Sequence, residues 1–374
     1  MRRLLILPLV MAFSASAATP APAWNAKSPE ATLDWFSENV YGRLPPTISQ
    51  AKVSFAAESP DKVMMDGAAL RKLVRCTIVG PYGTNSFRIV AFLPTAAKKP
   101  VPAFLFLSNR PAVSNIDPER KVKSGFWPAE EIVARGYAAV AFYLCDVSPD
   151  CLLQARKGVF ACFEDFSAEW RRLNLWGTLR AWAWGASRVM DWIETERAID
   201  ASKVAVVGHS RGGKTALLAG VTDKRFAYAC VNGSGCAGAK LNRANLPKSE
   251  SIASIASNFS YWFCLNYVRQ ANRDGEIECD QHQLLALMAP RLLAVGAASE
   301  DAWAGQEGEF AACRLASGAW EERGLKGFVE KGFPRPGEAY EEGMIGFHYE
   351  PGPHDLTPAN WKRYMDFAEK HGWK

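Results

Sequence analysis

Gly208-x-Ser210-x-Gly212 stands between an apolar run, Val204 to Val207, and the helix-forming stretch Ala216-Leu217-Leu218-Ala219. A serine held in a sharp strand-to-helix turn presents its hydroxyl in the open, and flanking glycines let neighbouring backbone approach, as an acyl-transfer nucleophile requires. The same residues satisfy a second pattern, Gly208-x-x-x-x-Gly213-Lys214-Thr215, which cradles phosphates in nucleotide-binding proteins. Both patterns need a strand before and a helix after, so local context does not separate them. What lies downstream does. Phosphate chemistry needs an Asp closing a later hydrophobic strand to hold Mg²⁺, and no downstream strand ends directly in Asp. A serine hydrolase needs a later acid and then a His, and this chain has both.

Only five histidines exist: 209, 282, 348, 354 and 371. His209 adjoins the serine inside the turn, where its side chain is expected to point away from the active face. His371 falls in a polar tail, and His282 precedes the helix-like Leu284-Leu-Ala-Leu-Met as a structural residue. His348 and His354 share a final strand that passes into Pro351-Gly-Pro-His354-Asp-Leu. A base must sit on a loop beyond the last strand, which selects His354 over the in-strand His348. The acid that orients it is expected where the strand Leu292 to Val295 opens into Gly296-Ala-Ala-Ser-Glu300-Asp301-Ala-Trp303. Asp301 is the candidate, with Glu300 its adjacent competitor. The chain order Ser210, Asp301, His354 is that of the α/β-hydrolases.

The transition-state oxyanion is expected to meet the backbone N–H of Arg211 and one from the Ser108-Asn109-Arg110 turn. Another glycine pattern, Gly233-x-Gly235-x-x-Gly238, resembles a dinucleotide fingerprint, but Lys240-Leu-Asn-Arg-Ala-Asn-Leu-Pro is a poor helix start and no acid closes a following strand. It reads as an active-site loop.

The elements that position these residues follow from hydropathy. Leu70 to Val79 and Phe87 to Leu93 flank the turn Gly80-Pro-Tyr-Gly83 and read as an antiparallel pair. Val101 to Leu107, Tyr137 to Leu144, Val204 to Val207, Tyr228 to Val231 and Leu292 to Val295 are apolar runs without alternation, as strands buried on both faces require. Helical spacing recurs in Pro29 to Val40 and in Leu175 to Ile193, whose Trp176, Leu179, Trp182, Ala183, Ala186, Val189, Met190 and Ile193 form a stripe that packs on the sheet. The expected architecture is an α/β-hydrolase three-layer sandwich: a mostly parallel central sheet with antiparallel N-terminal strands and helices on both faces.

Met1-Arg2-Arg3, the apolar Leu4 to Phe13 and the small residues Ala15-Ser16-Ala17 read as a signal peptide over residues 1–17, leaving 18–374 as one exported catalytic domain, periplasmic or secreted. ATP is scarce there, which weighs further against the phosphate loop. No later stretch reaches the ~20 apolar residues of a membrane span. The 374 residues are 48% hydrophobic, with 44 basic and 39 acidic side chains and no basic run suited to a nucleic-acid backbone. A globular monomer with neither nucleic acid nor membrane as partner is expected. The nine cysteines include no CxxC pair, and no HExxH occurs, so neither a metal nor any other cofactor is expected.

Several motifs lie in register with one family: Gly-His-Ser210-Arg211-Gly-Gly-Lys214, the preceding Leu-Arg-Ala-Trp-Ala-Trp-Gly-Ala-Ser-Arg, Asp280-Gln-His-Gln-Leu-Leu-Ala-Leu-Met-Ala-Pro-Arg, Asp301-Ala-Trp303 and Pro-Gly-Pro-His354-Asp-Leu. From Tyr41-Gly-Arg-Leu-Pro to the C-terminus the chain resembles the bacterial glucuronoyl esterases of carbohydrate esterase family 15. The resemblance implies hydrolysis of the ester between a lignin alcohol and the 4-O-methylglucuronic acid of glucuronoxylan. It implies Ser210 as nucleophile, His354 as proton relay, Asp301 as its orienting acid, and Arg211 as an oxyanion ligand through its side chain as well. Lys214, Glu250 and Trp303 fall where the family contacts the sugar hydroxyls and the 4-O-methyl group. Two departures stand out. Many members carry the acid in a Glu-Ser-Gly run that here reads Gly233-Ser234-Gly235, which shifts that role to Asp301. The fungal pattern has Cys where this chain has His209, which excludes a disulfide there. An acetyl xylan or other small-ester esterase remains the nearest alternative, because a triad fixes acyl transfer but not the acyl group. A non-catalytic carbohydrate-binding protein of this fold predicts a broken triad, and an NTPase predicts Mg²⁺-dependent ATP hydrolysis that Lys214→Ala abolishes.

Overall fold

Strand β5 (Val101–Ser108) shows how the sequence builds the layers: Ala103, Leu105 and Leu107 enter one core while Phe104 and Phe106 enter another on the opposite face. Successive side chains of a strand point to opposite faces, so a strand covered on both sides must be apolar at every position. The computed structural model describes residues 21–165, 172–244 and 246–374; the leader expected over 1–17 lies outside the described residues.

Among the described residues eleven strands form one sheet: β1 (Lys52–Ala57), β2 (Lys62–Met64), β3 (Ala69–Val79), β4 (Thr84–Pro94), β5, β6 (Ala138–Tyr143), β7 (Ile199–His209), β8 (Tyr228–Asn232), β9 (Leu292–Ala298), β10 (Glu338–Tyr340) and β11 (Ile345–Glu350). Their order is β1-β3-β4-β6-β5-β7-β8-β9-β11-β10, with β2 paired to β3. The run from β6 to β11 is parallel. The strands before it and β10 pair antiparallel. The mostly parallel sheet with an antiparallel N-terminal start is as expected. The edge pieces β1, β2 and β10 had no apolar run to announce them, being largely exposed.

On one face, helices Thr178–Ile193 and Arg211–Thr222 cover the sheet, and every residue of the expected 176–193 stripe is buried. On the other, helices Ala129–Ala134 and Pro358–Lys370 supply Ile132, Trp361, Tyr364 and Phe367 around Phe104, Phe106 and Tyr228. Each of those aromatics contributes roughly 1.5–3 kcal/mol by burial. The chain leaves β5 for β6 on one side and β7 on the other. Such a reversal opens a crevice at the carboxyl ends of the strands, where ligands bind in open α/β sheets. Among the described residues, no helix is long and apolar enough to cross a membrane.

Candidate active site

Beyond β7 the backbone turns at Ser210 with φ 57° and ψ −126°, and the helix Arg211–Thr222 starts at the next residue. This is sparsely populated space for a side-chain-bearing residue, and it is sustained because the surroundings over-determine it. Ser210 N–H donates to Asn232 O at 2.9 Å, and a Cβ on Gly208 would stand 2.0 Å from Gly212 O, so only glycine lets the turn close. The result is the strained serine turn expected at Gly208-x-Ser210-x-Gly212.

The candidate base His354 and candidate acid Asp301 are brought together by the pairing of β9 with β11. Where the strands end, Ser299 N–H donates to Glu350 O and Glu300 N–H to Gly352 O, each at 2.9 Å, so the two loops leave the sheet side by side. Asp301, 4% exposed, then directs Oδ2 to His354 Nδ1 at 2.5 Å, while its Oδ1 accepts from Ala304 N–H at 3.2 Å. Glu300 is exposed. With Nδ1–H spent on a carboxylate, Nε2 is the nitrogen left to take a proton. Gly233, at the end of β8, lies against the pair: a Cβ there would come within 3.3 Å of Asp301 Oδ2 and of His354 Nδ1. Asp301 thus reaches, from the next loop, the space beside position 233.

His209 does not point away from the active face, as the sequence had suggested. Its ring packs on that of His354, with centroids 4.3 Å apart, while Nδ1 pairs with Asn232 Oδ1 at 2.6 Å. The reason is β8: Asn232 pairs beside His209 in the ladder and gives the imidazole a partner on the site's side of the sheet. Burial, and then the neighbouring His354, push the His209 pKa well below its ordinary value. The other histidines are structural. His348 is buried beside Asn360 with its pKa pushed down to about 3 by burial, His282 bonds Pro22 O, and His371 caps the last helix rather than lying in a loose tail.

In the helix Arg211–Thr222, Lys214 N–H is bonded to Ser210 O, and the N–H groups of the turn before it lie at a helix N-terminus suited to a developing anion. Asn109 Nδ2 donates to His209 O at 3.1 Å, which pins the Ser108-Asn109-Arg110 turn beside that terminus. The Arg211 side chain is 31% exposed, with Nε 2.6 Å from Asp150 Oδ2.

Lys214 and Glu250 form a buried ion pair at 3.0 Å. Lys214 was expected to touch sugar hydroxyls, but its ammonium also donates to Ser234 O and Cys236 O, so its three protons are spent inside the chain. It holds the loop after β8 and Glu250 in place. Glu250 takes both its bonds, from Lys214 and from Cys236 N–H, on Oε2. Trp303 is 44% exposed, and its carbonyl accepts from Glu250 N–H at 2.8 Å, which couples the two positions.

Two residues escaped the sequence reading. Asp150 has no motif linking it to position 211. Glu309, fully buried on helix Gln306–Ala316, accepts from Ser234 N–H, Ser234 Oγ–H and Gly235 N–H at 2.9–3.0 Å, fixing the Gly233-Ser234-Gly235 loop. Burial dominates those three donors and raises its pKa to about 7. Only an acid at helical spacing in an otherwise core-facing stretch, Glu309-Phe310-Ala-Ala-Cys313, could have hinted at it. Among the described residues no three His, Cys, Asp or Glu side chains cluster to hold a metal, and all nine cysteines are free thiols.

A family model described as fungal glucuronyl esterase matches residues 129–324. Carbohydrate esterase MZ0003, from an unknown prokaryotic organism, is 33% identical over 97% of this chain and 88% of its own length. Among solved structures, a promiscuous CE15 esterase from a marine bacterial metagenome superposes with TM-score 0.83 at 32% identity, over 93% of this chain and 92% of that one. A glucuronoyl esterase from Solibacter usitatus gives TM-score 0.83 at 31% identity over 93% of each chain.

Proposed function

Because the chain belongs to carbohydrate esterase family 15, we propose that it is a carboxylic ester hydrolase that cleaves glucuronoyl esters through an acyl-enzyme on Ser210. The observation that carries this reading is the Asp301–His354 contact at 2.5 Å, with the His354 ring packed on His209, the residue before the strained Ser210.

Ser210 Oγ attacks the uronate carbonyl as His354 Nε2 takes its proton. Asp301 holds the ring in the tautomer that keeps Nε2 basic and stabilises the imidazolium that forms. The carbonyl oxygen becomes an anion facing the N–H of Arg211, the 108–110 turn and the Arg211 guanidinium. His354 returns the proton to the departing alcohol, and water admitted along the same path releases the glucuronate. Glu250 and Trp303 receive the sugar, the first as acceptor for hydroxyls and the second as an apolar face for the ring and its 4-O-methyl group, with Lys214 fixing Glu250.

The substrate we assign is the ester between 4-O-methylglucuronic acid of glucuronoxylan and a lignin alcohol. Residues 18–374 act as one exported catalytic domain and as a monomer, after removal of the leader over 1–17. The discriminating experiment sets benzyl or methyl glucuronate beside an acetylated sugar. Turnover of the uronate ester is the predicted result, and turnover of acetate alone would move the protein to another esterase activity.

A further inference from the structure

Asp150 lies on the loop that follows β6, far in sequence from the serine turn, yet its carboxylate reaches the residue next to the nucleophile. Oδ2 stands 2.6 Å from Arg211 Nε, while Oδ1 accepts from Tyr261 Oη at 2.8 Å and from Trp262 Nε1 at 2.7 Å. The carboxylate is itself held. Ser148 O, two residues before it, accepts from Trp182 Nε1 at 2.9 Å, and Trp262 stacks on Phe259 at 4.0 Å with planes 6° apart. The Arg211 guanidinium also lies 5.7 Å from the Trp262 ring centroid. Arg211 is thus held at Nε by an ion-pair contact, with no hydrogen bond between the two groups. No acceptor among the described residues takes either Nη group, and the side chain is 31% exposed.

We infer that Asp150 is a positioning residue that, together with Tyr261 and Trp262, aims the free Nη groups of Arg211 at the carbonyl oxygen of a substrate bound on Ser210. The inference rests on the esterase reading and on the oxyanion role of Arg211. A free arginine side chain explores many rotamers, and a pre-formed ion pair removes the cost of fixing one from the reaction step. A preorganised donor matters most where charge develops, so the benefit falls on the transition state rather than on the bound ester. Asp150 also places a negative charge near the oxyanion, which opposes it. The Arg211 guanidinium, paired with that carboxylate at 2.6 Å, offsets this opposition.

The test is a double-mutant cycle on benzyl glucuronate with Asp150→Asn, Arg211→Ala and the pair. Asp150→Asn keeps an oxygen acceptor for Tyr261 and Trp262 and loses only the charge pairing. Loss of one oxyanion donor costs roughly 10²–10³ in kcat, and misaiming it a part of that, so Asp150→Asn is expected to lower kcat about tenfold with KM within about twofold. In the Arg211→Ala background it should cost nothing further. Tyr261→Phe, which removes one support without touching Arg211, should give a smaller loss that also disappears in that background. Wild-type kcat for Asp150→Asn beside an impaired Arg211→Ala would overturn the inference alone, and so would losses that simply multiply. Full activity of Arg211→Ala would overturn the oxyanion role as well.

Discussion

The imidazole of His209 lies against that of His354, ring centroids 4.3 Å apart and planes tilted by 45°. His354 rides on an exposed loop, and Asp301 fixes only one atom of its ring, so the His209 face removes much of the remaining swing. The contact works only if His209 carries no charge, because an imidazolium there would oppose the one that forms on His354. Burial, the His354 charge and the nearby Arg110 and Arg211 all hold His209 neutral, against a smaller contribution from Asn232.

A single histidine ionisation should therefore govern the acid limb of kcat/KM. His209, held neutral by burial and by its neighbours, should add no second ionisation to that limb. The logarithmic limb should rise with a slope of one. A slope of two, or an NMR titration of His209 between about pH 5 and 8, would contradict the neutral stack.

Asp301→Ala should lower kcat by about 10³–10⁴ with KM little changed, by analogy with loss of the orienting acid in other triads. Glu300→Ala should stay within about twofold of wild type, since its side chain is exposed and His354 is paired with Asp301. The reverse pattern would move the acid one residue.

Much of this site was legible because it depends on local order. A serine turn, a final strand opening into Pro351-Gly-Pro-His354 and an acid after β9 are each set by a short stretch, and parallel strands bring their ends together. Strand limits were read short, as in β7, because Ile199-Asp-Ala-Ser-Lys203 interrupts the apolar run while its backbone still pairs. The direction of His209, the saturation of Lys214, the grip of Asp150 on Arg211 and the burial of Glu309 were not legible. Each depends on a partner 20 to 75 residues away, on a loop whose path no periodicity encodes.

Gly233→Ala should impair turnover more than folding. Its φ is +48°, where a side chain costs roughly 1–2 kcal/mol, and the new Cβ would press within 3.3 Å on both Asp301 and His354. Neither partner can withdraw without loosening the contact between them. We expect kcat to fall at least tenfold while Tm drops only a few degrees. Wild-type kcat would mean that the pair tolerates displacement.

Glu309 makes stability depend on pH. Its folded pKa of about 7 lies above the ordinary carboxyl value of 4.5, so the folded state binds the proton more tightly than the unfolded chain does. Stability from this group is complete below about pH 4.5 and is lost as pH rises to about 7, on the order of 3 kcal/mol in all. Glu309→Gln keeps an oxygen for Ser234 and Gly235 and removes the ionisation. The variant's Tm relative to wild type should therefore improve between pH 5 and pH 8. An unchanged difference would mean that Glu309 ionises normally.

The most direct test of the central claim is turnover of benzyl glucuronate by residues 18–374 beside the Ser210→Ala variant, with the fold of both checked by circular dichroism. The account predicts robust hydrolysis that falls by at least about 10³ when the hydroxyl is removed. Hydrolysis that survives in Ser210→Ala, with the fold intact, would contradict it.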